Sequence, residues 1–125
     1  MIHVAVPLML AAAMPNVLTA IAKGGAFSAR DNRETRAWQA QLTGWRLRAH
    51  WAHQNSFEAF PPFAAALLVS HLATPHSATA VVAAWGFIAA RVAYAACYLA
   101  DAATLRSLVW FAGIGCVVAL FVTAL

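Results

Sequence analysis

Residues 46–63 read RLRAHWAHQNSFEAFPPF. Two arginines, two histidines, an asparagine and a glutamate lead without a break into an apolar run. At about 100° per residue, Arg48, Trp51, Asn55, Glu58 and Pro62 fall within an arc of roughly 80° on a helix. His50, His53 and Phe57 fall on a different side. At about 1.5 Å per residue from Arg46, Glu58 lies roughly 18 Å along that helix. A lone carboxylate at such a depth in a bilayer must find a partner or take a proton. Glu58 is therefore expected to face other helices and to have a cationic or donor partner.

The rest of the chain calls for that bilayer. Of its 125 residues, 63% are hydrophobic and 10% charged, and the mean hydropathy is +0.71. Soluble domains have about 25% charged and about 45–50% apolar residues. The composition predicts an all-α integral membrane protein, a four-transmembrane-helix bundle of one domain. Spans of about 20 residues fit at 2–22, 46–72, 77–99 and 105–125. So small a bundle has little interior of its own, which favours oligomerisation. The net charge is +4, but the basic residues concentrate in one loop. They read as a topology signal and leave no case for a nucleic-acid partner.

In order, the first span is interrupted by Pro7 and Pro15, which membrane helices tolerate where neighbours satisfy the freed carbonyls. Asn16 is its polar side chain in mid-helix and is expected to hydrogen-bond between helices. The segment has no basic n-region and runs too long for a cleavable signal peptide. Lys23, Arg30, Arg33, Arg36, Arg46 and Arg48 lie in or beside the first loop. The second loop has no cation, and the third has only Arg106 at its end. The positive-inside rule then places the first and third loops in the cytoplasm and both termini outside. Pro61 and Pro62 are expected to bend the second span past Glu58.

In the third span Gly86, Ala90, Ala93 and Ala96 offer close helix packing. Phe87, Arg91, Tyr94, Tyr98 and Asp101 share one side of it. Arg91 lies roughly 10 Å from its cytoplasmic end, near the level of Asn55, which makes Glu58 its expected partner. Asp101 or Thr104 stands where a cap of the fourth helix belongs. Cys97 and Cys116 read as inert buried thiols. His50 and His53, three apart, share their side with no carboxylate or cysteine, so no metal site is expected.

Asn55, Glu58, Arg91, Tyr94, Tyr98 and Arg106 thus gather in one half of the membrane. A guanidinium at a helix start lowers the pKa of a bound thiol and holds carboxylates, and Glu58 suits an ammonium group. An anionic tripeptide with one amine and one thiol matches the set.

At these residues the sequence resembles the MAPEG family, the membrane-associated proteins in eicosanoid and glutathione metabolism. AHQNSFEAFPPF (52–63) is similar to the family's helix-two motif, and ARVAYAACYLADAATLRS (90–107) to the motif spanning helices three and four. The short bacterial branch, with its DNR loop, is the nearest in pattern. The resemblance implies a homotrimer in the bacterial inner membrane, with glutathione between adjacent protomers. It implies that Asn55, Glu58, Arg91, Tyr98 and Ser107 contact glutathione and that Arg106 stabilises its thiolate. Trp110 stands where several family enzymes have a tyrosine, and Gln54 where some relatives have a basic residue. Two readings follow. One is a glutathione transferase or peroxidase acting on a lipophilic small molecule from the bilayer. The other is a non-catalytic protein of the same fold that binds lipid or serves a larger membrane complex.

Overall fold

A computed structural model describes all residues, 1–125. Helices account for 80% of them, and there is no strand. The helices are α1 (Ile2–Lys23), α2 (Thr35–Ala40), α3 (Gly44–Ala73), α4 (Ala78–Leu99) and α5 (Ala103–Val122). The four long ones form an up-down-up-down bundle, in which α1 packs mainly on α3 and α4 mainly on α5. α2 lies in the long first loop.

α1, α4 and α5 are long and apolar enough to cross a membrane. Their outward faces carry Met9, Val17, Val82, Val92, Leu108, Phe111, Ile114, Val118 and Phe121, all exposed on the protomer. Apolar surface of that extent belongs against lipid or other chains, and the protein is an integral membrane protein. α3, with 30 residues, is the longest helix. It falls short of the same composition because Arg46, Arg48, His50, His53, Gln54, Asn55 and Glu58 occupy its first half. It stays helical through Pro61 and Pro62.

The bundle closes on small and aromatic residues. The inward face of α1 is Pro7, Ala11, Pro15, Leu18 and Ala22, at helical spacing. Asn16 sits outside that face. It is exposed, and no hydrogen bond joins it to another helix of the protomer, because Pro15 and Leu18 take the inward positions. The core stacks Phe63 of α3 on Phe87 of α4, with ring centroids 3.9 Å apart. A Cβ on Gly86 would lie 3.2 Å from Cys116 Sγ, so α4 and α5 approach closely there and a larger residue would press on the Cys116 side chain. Ala93 and Ala96 are exposed and take no part in that contact.

Polar side chains tie the two ends. Thr123 Oγ1 donates to Leu120 O (2.7 Å), so the Ser70 hydroxyl, 2.6 Å away, must donate to Thr123 Oγ1. Thr74 Oγ1 donates to Thr123 O (3.1 Å). These bonds fasten the last turns of α3 and α5. At the opposite end Arg46 Nη1 donates to Ala22 O (2.8 Å), meeting a carbonyl left free at the end of α1. In the loop the Asp31 carboxylate accepts from the Ser28 hydroxyl (2.7 Å) and amide (2.8 Å). Those two bonds hold its pKa below the ordinary carboxylate value.

The cap expected of Asp101 or Thr104 does not form. α5 starts from Ala102 with no side-chain hydrogen bond. Asp101 is the one non-glycine residue with positive φ, 60°. Its carboxylate turns to Arg48 instead, with Nη1 3.9 Å from Oδ2.

Candidate functional site

Two residues on α3 decide where its polar groups go. Ser56 and Glu58 are two positions apart, or about 200° around a helix. Ser56 is 4% exposed and points into the bundle. Glu58 is exposed and points out. Arg91, on the inward face of α4, is 5% exposed. Its Nη2 donates to Ser56 Oγ (3.3 Å), and its guanidinium lies 4.3 Å from the centre of the Tyr94 ring. The Ser56 hydroxyl in turn donates a hydrogen bond to Ala52 O (2.8 Å). The expected Arg91–Glu58 pair is therefore absent within the protomer, because their helix faces diverge. The signal that could have found the real acceptor was Ser56 itself, which shares a helix face with Ala49, Ala52 and Phe63.

Glu58 is paired locally. Asn55 Nδ2 donates to Glu58 Oε2 (3.3 Å), and Asn55 Oδ1 is buried with no partner. Glu58 lines a cleft of about 840 Å³ between α2 and α3. Thr35, Arg36 and Gln39 of α2 face His50, Trp51, His53, Gln54 and Phe57 of α3 across it. Sequence reasoning read the amphipathic stretch TRAWQAQLTGW only as an approach to the second span and left α2 out of the site, since nothing in its residues shows which α3 side chains it lies across from.

His50 and His53 stack with centroids 5.7 Å apart. His53 Nδ1 lies 2.7 Å from Pro15 O and 3.1 Å from Thr19 Oγ1. A carbonyl only accepts, so Nδ1 carries the proton and clamps α1 to α3. This leaves Nε2 as the free nitrogen.

Tyr98, Arg106 and Ser107 are elsewhere. They line a second cleft, of about 350 Å³, with Tyr94, Trp110 and Phe111. It shares no residue with the first. Arg106 lies 4.3 Å from the centre of the Tyr98 ring, and Tyr94 and Tyr98 meet edge to face at 5.2 Å. The Ser107 hydroxyl donates to Ala103 O (3.3 Å) on its own helix. Arg106 is the sole ionic side chain among these lining residues, so the cleft is positive and aromatic. It suits an anion, a thiolate included, next to an apolar group.

Arg48 joins α3 to the α4–α5 turn. Its Nη2 donates to Leu99 O (3.3 Å), Nη1 reaches Asp101, and Nε is buried without a partner. The sequence reading placed Arg48 on the same helix stripe as Asn55 and Glu58 and counted it among the cations beside the loop, but did not give it this partner.

No curated protein and no solved structure matches the chain. A family model, that of the MAPEG family, matches residues 2–125. With a helical membrane bundle matched over essentially its whole length, the chain belongs to the MAPEG family, as a membrane protein of the glutathione and eicosanoid metabolism type.

Proposed function

We propose that this protein binds glutathione and acts as a transferase or peroxidase on lipophilic electrophiles, working as a homotrimer in a bacterial inner membrane. One observation carries the reading: the chemistry is split between two clefts that share no residue. In a closed ring, the α3 face of one protomer meets a different face of the next, so an α2–α3 cleft and a neighbour's α4–α5 cleft form one site. Glu58 and Asn55 then hold the ammonium end of glutathione. Tyr98, Arg106 and Ser107 receive its sulfur from the other side. Arg91 acts from behind Tyr94, through the ring. α3 serves as the fourth span, with the basic loop cytoplasmic and both termini outside.

In this reading the Arg106 guanidinium favours the thiolate by charge. The sulfur lone pair attacks an electrophilic carbon, an S–C bond forms, and the leaving group departs with its electron pair. With a hydroperoxide, two glutathiones give the disulfide, an alcohol and water. The aromatic walls of the cleft suit a substrate arriving from lipid.

One feature favours the second reading, a non-catalytic protein that binds lipid or serves a larger complex. Trp110 lines the α4–α5 cleft and brings an indole N–H in place of a hydroxyl. Calorimetry of glutathione with the detergent-purified protein separates the two. Saturable binding weakened by both Arg106→Ala and Glu58→Gln supports the site. No binding at millimolar glutathione, in folded and assembled protein, overturns it.

A further inference from the structure

The cleft between α2 and α3 contains charges of both signs. Glu58 stands on α3 and Arg36 on α2. Arg36 is exposed and pairs with no carboxylate, since the ion pair of the structure is Arg48–Asp101. Gln39, one helical turn from Arg36, adds an amide to the same wall. The cleft's volume, about 840 Å³, is in the range of small-ligand pockets, roughly 300–1,000 Å³.

We infer that α2 is a specificity element: Arg36, with Gln39 beside it, binds a carboxylate at the end of the ligand remote from its ammonium group. The inference rests on the glutathione reading and deepens it. Glu58 takes the ammonium of the γ-glutamyl end. Arg36 takes the glycyl carboxylate, for which a guanidinium offers a two-pronged donor. The cysteinyl thiol, midway, is left to face the neighbouring protomer's Arg106. Ligands without the second carboxylate lose the Arg36 contact, so the site selects amphoteric peptides over simple thiols.

The test measures dissociation constants by calorimetry for glutathione and its glycyl monoethyl ester. The proteins are the unmodified chain, Arg36→Ala and Arg33→Ala. Arg33 removes the same charge from the same loop but lines a separate cleft with Arg30, Asp31 and Trp38. A charge-assisted contact supports roughly a tenfold loss of glutathione affinity in Arg36→Ala. The unmodified protein should bind the ester as weakly as Arg36→Ala binds glutathione, and Arg36→Ala should bind ester and glutathione alike. Arg33→Ala should match the unmodified chain. The inference is overturned if glutathione binds and Arg36→Ala leaves its affinity unchanged. It is also overturned if ester and substitution losses multiply, or if Arg33→Ala loses as much as Arg36→Ala. No glutathione binding by the unmodified protein overturns the glutathione reading itself and takes this inference with it.

Discussion

The two clefts of the protomer differ in charge and in lining. The one between α2 and α3 sets Arg36 against Glu58, with two stacked histidines in its wall, of which His53 reaches Pro15 O of α1. The one between α4 and α5 has Arg106 alone, among Tyr94, Tyr98, Trp110 and Phe111. The first can orient a ligand that has both charges. The second can steady one negative charge beside an apolar group. Each has what the other lacks, which is why the proposed site is built from both.

The largest expected effect comes from removing the single charge of the second cleft. Arg106→Ala should lower turnover with a thiol and a model electrophile by roughly a hundredfold or more, the scale of losing a key charge stabiliser. Assembly, read by size-exclusion chromatography, should not change. Unchanged turnover would mean that the second cleft is not where the thiolate sits.

A stability comparison comes next. Ser56→Ala takes the acceptor from the buried Arg91 guanidinium, which should cost about 2 kcal/mol. Glu58→Gln alters an exposed group and should stay within about 0.5 kcal/mol. Thermal unfolding in detergent measures both. If Glu58→Gln is the more damaging, Glu58 has a buried cationic partner after all, and the division between structural Ser56–Arg91 and functional Glu58 fails.

That division also shows what the sequence could and could not convey. Helix faces were legible, because the arc containing Arg48, Trp51, Asn55, Glu58 and Pro62 follows from periodicity alone. The membrane class was legible from composition, and the family from the two separated motifs. Partners across helices were not. Arg91 was assigned to Glu58 because their depths agreed, but depth does not specify rotation, and Ser56 has the facing position. Asp101 was read as a cap, whereas its left-handed backbone and Arg48 put it to another use. The amphipathic stretch that forms α2 does not itself say that it stands across a cleft from α3, so Arg36 and Gln39 entered the site only with the structure.

Far from either cleft, the hydroxyl knot offers a smaller effect. Ser70→Ala removes the donor to Thr123 Oγ1 and should cost about 1 kcal/mol, with glutathione affinity unchanged. A loss of affinity would show that the two ends of the bundle are coupled.

The smallest effect is a local pH dependence outside both clefts. The Ser28 hydroxyl and amide hold the Asp31 pKa below its ordinary value of 3.8. A depressed carboxylate contributes stability above the unfolded value and loses it as pH falls through the folded value. The turn at residues 28–31 should therefore persist above pH 3.8 and open below it. The Ser28 amide shift, followed by NMR, should have its midpoint under 3.8. A midpoint at or above that value contradicts the hydrogen-bonded turn.

The central claim is that the site is shared between protomers, and mixed assemblies test it most directly. Glu58→Gln keeps a sound α4–α5 cleft, and Arg106→Ala keeps a sound α2–α3 cleft. Each variant alone should bind glutathione weakly. Co-expressed in one membrane and purified through two different tags, they form rings in which the Arg106→Ala protomer can present its α3 face to the α4–α5 cleft of the Glu58→Gln protomer. In a closed ring of three, each mixed assembly then regains one intact site, about one in three. Calorimetry of the doubly tagged fraction should show unmodified affinity at that reduced stoichiometry. Doubly tagged assemblies with no site of unmodified affinity would place Glu58 and Arg106 in separate sites or within a single chain, and would contradict the account.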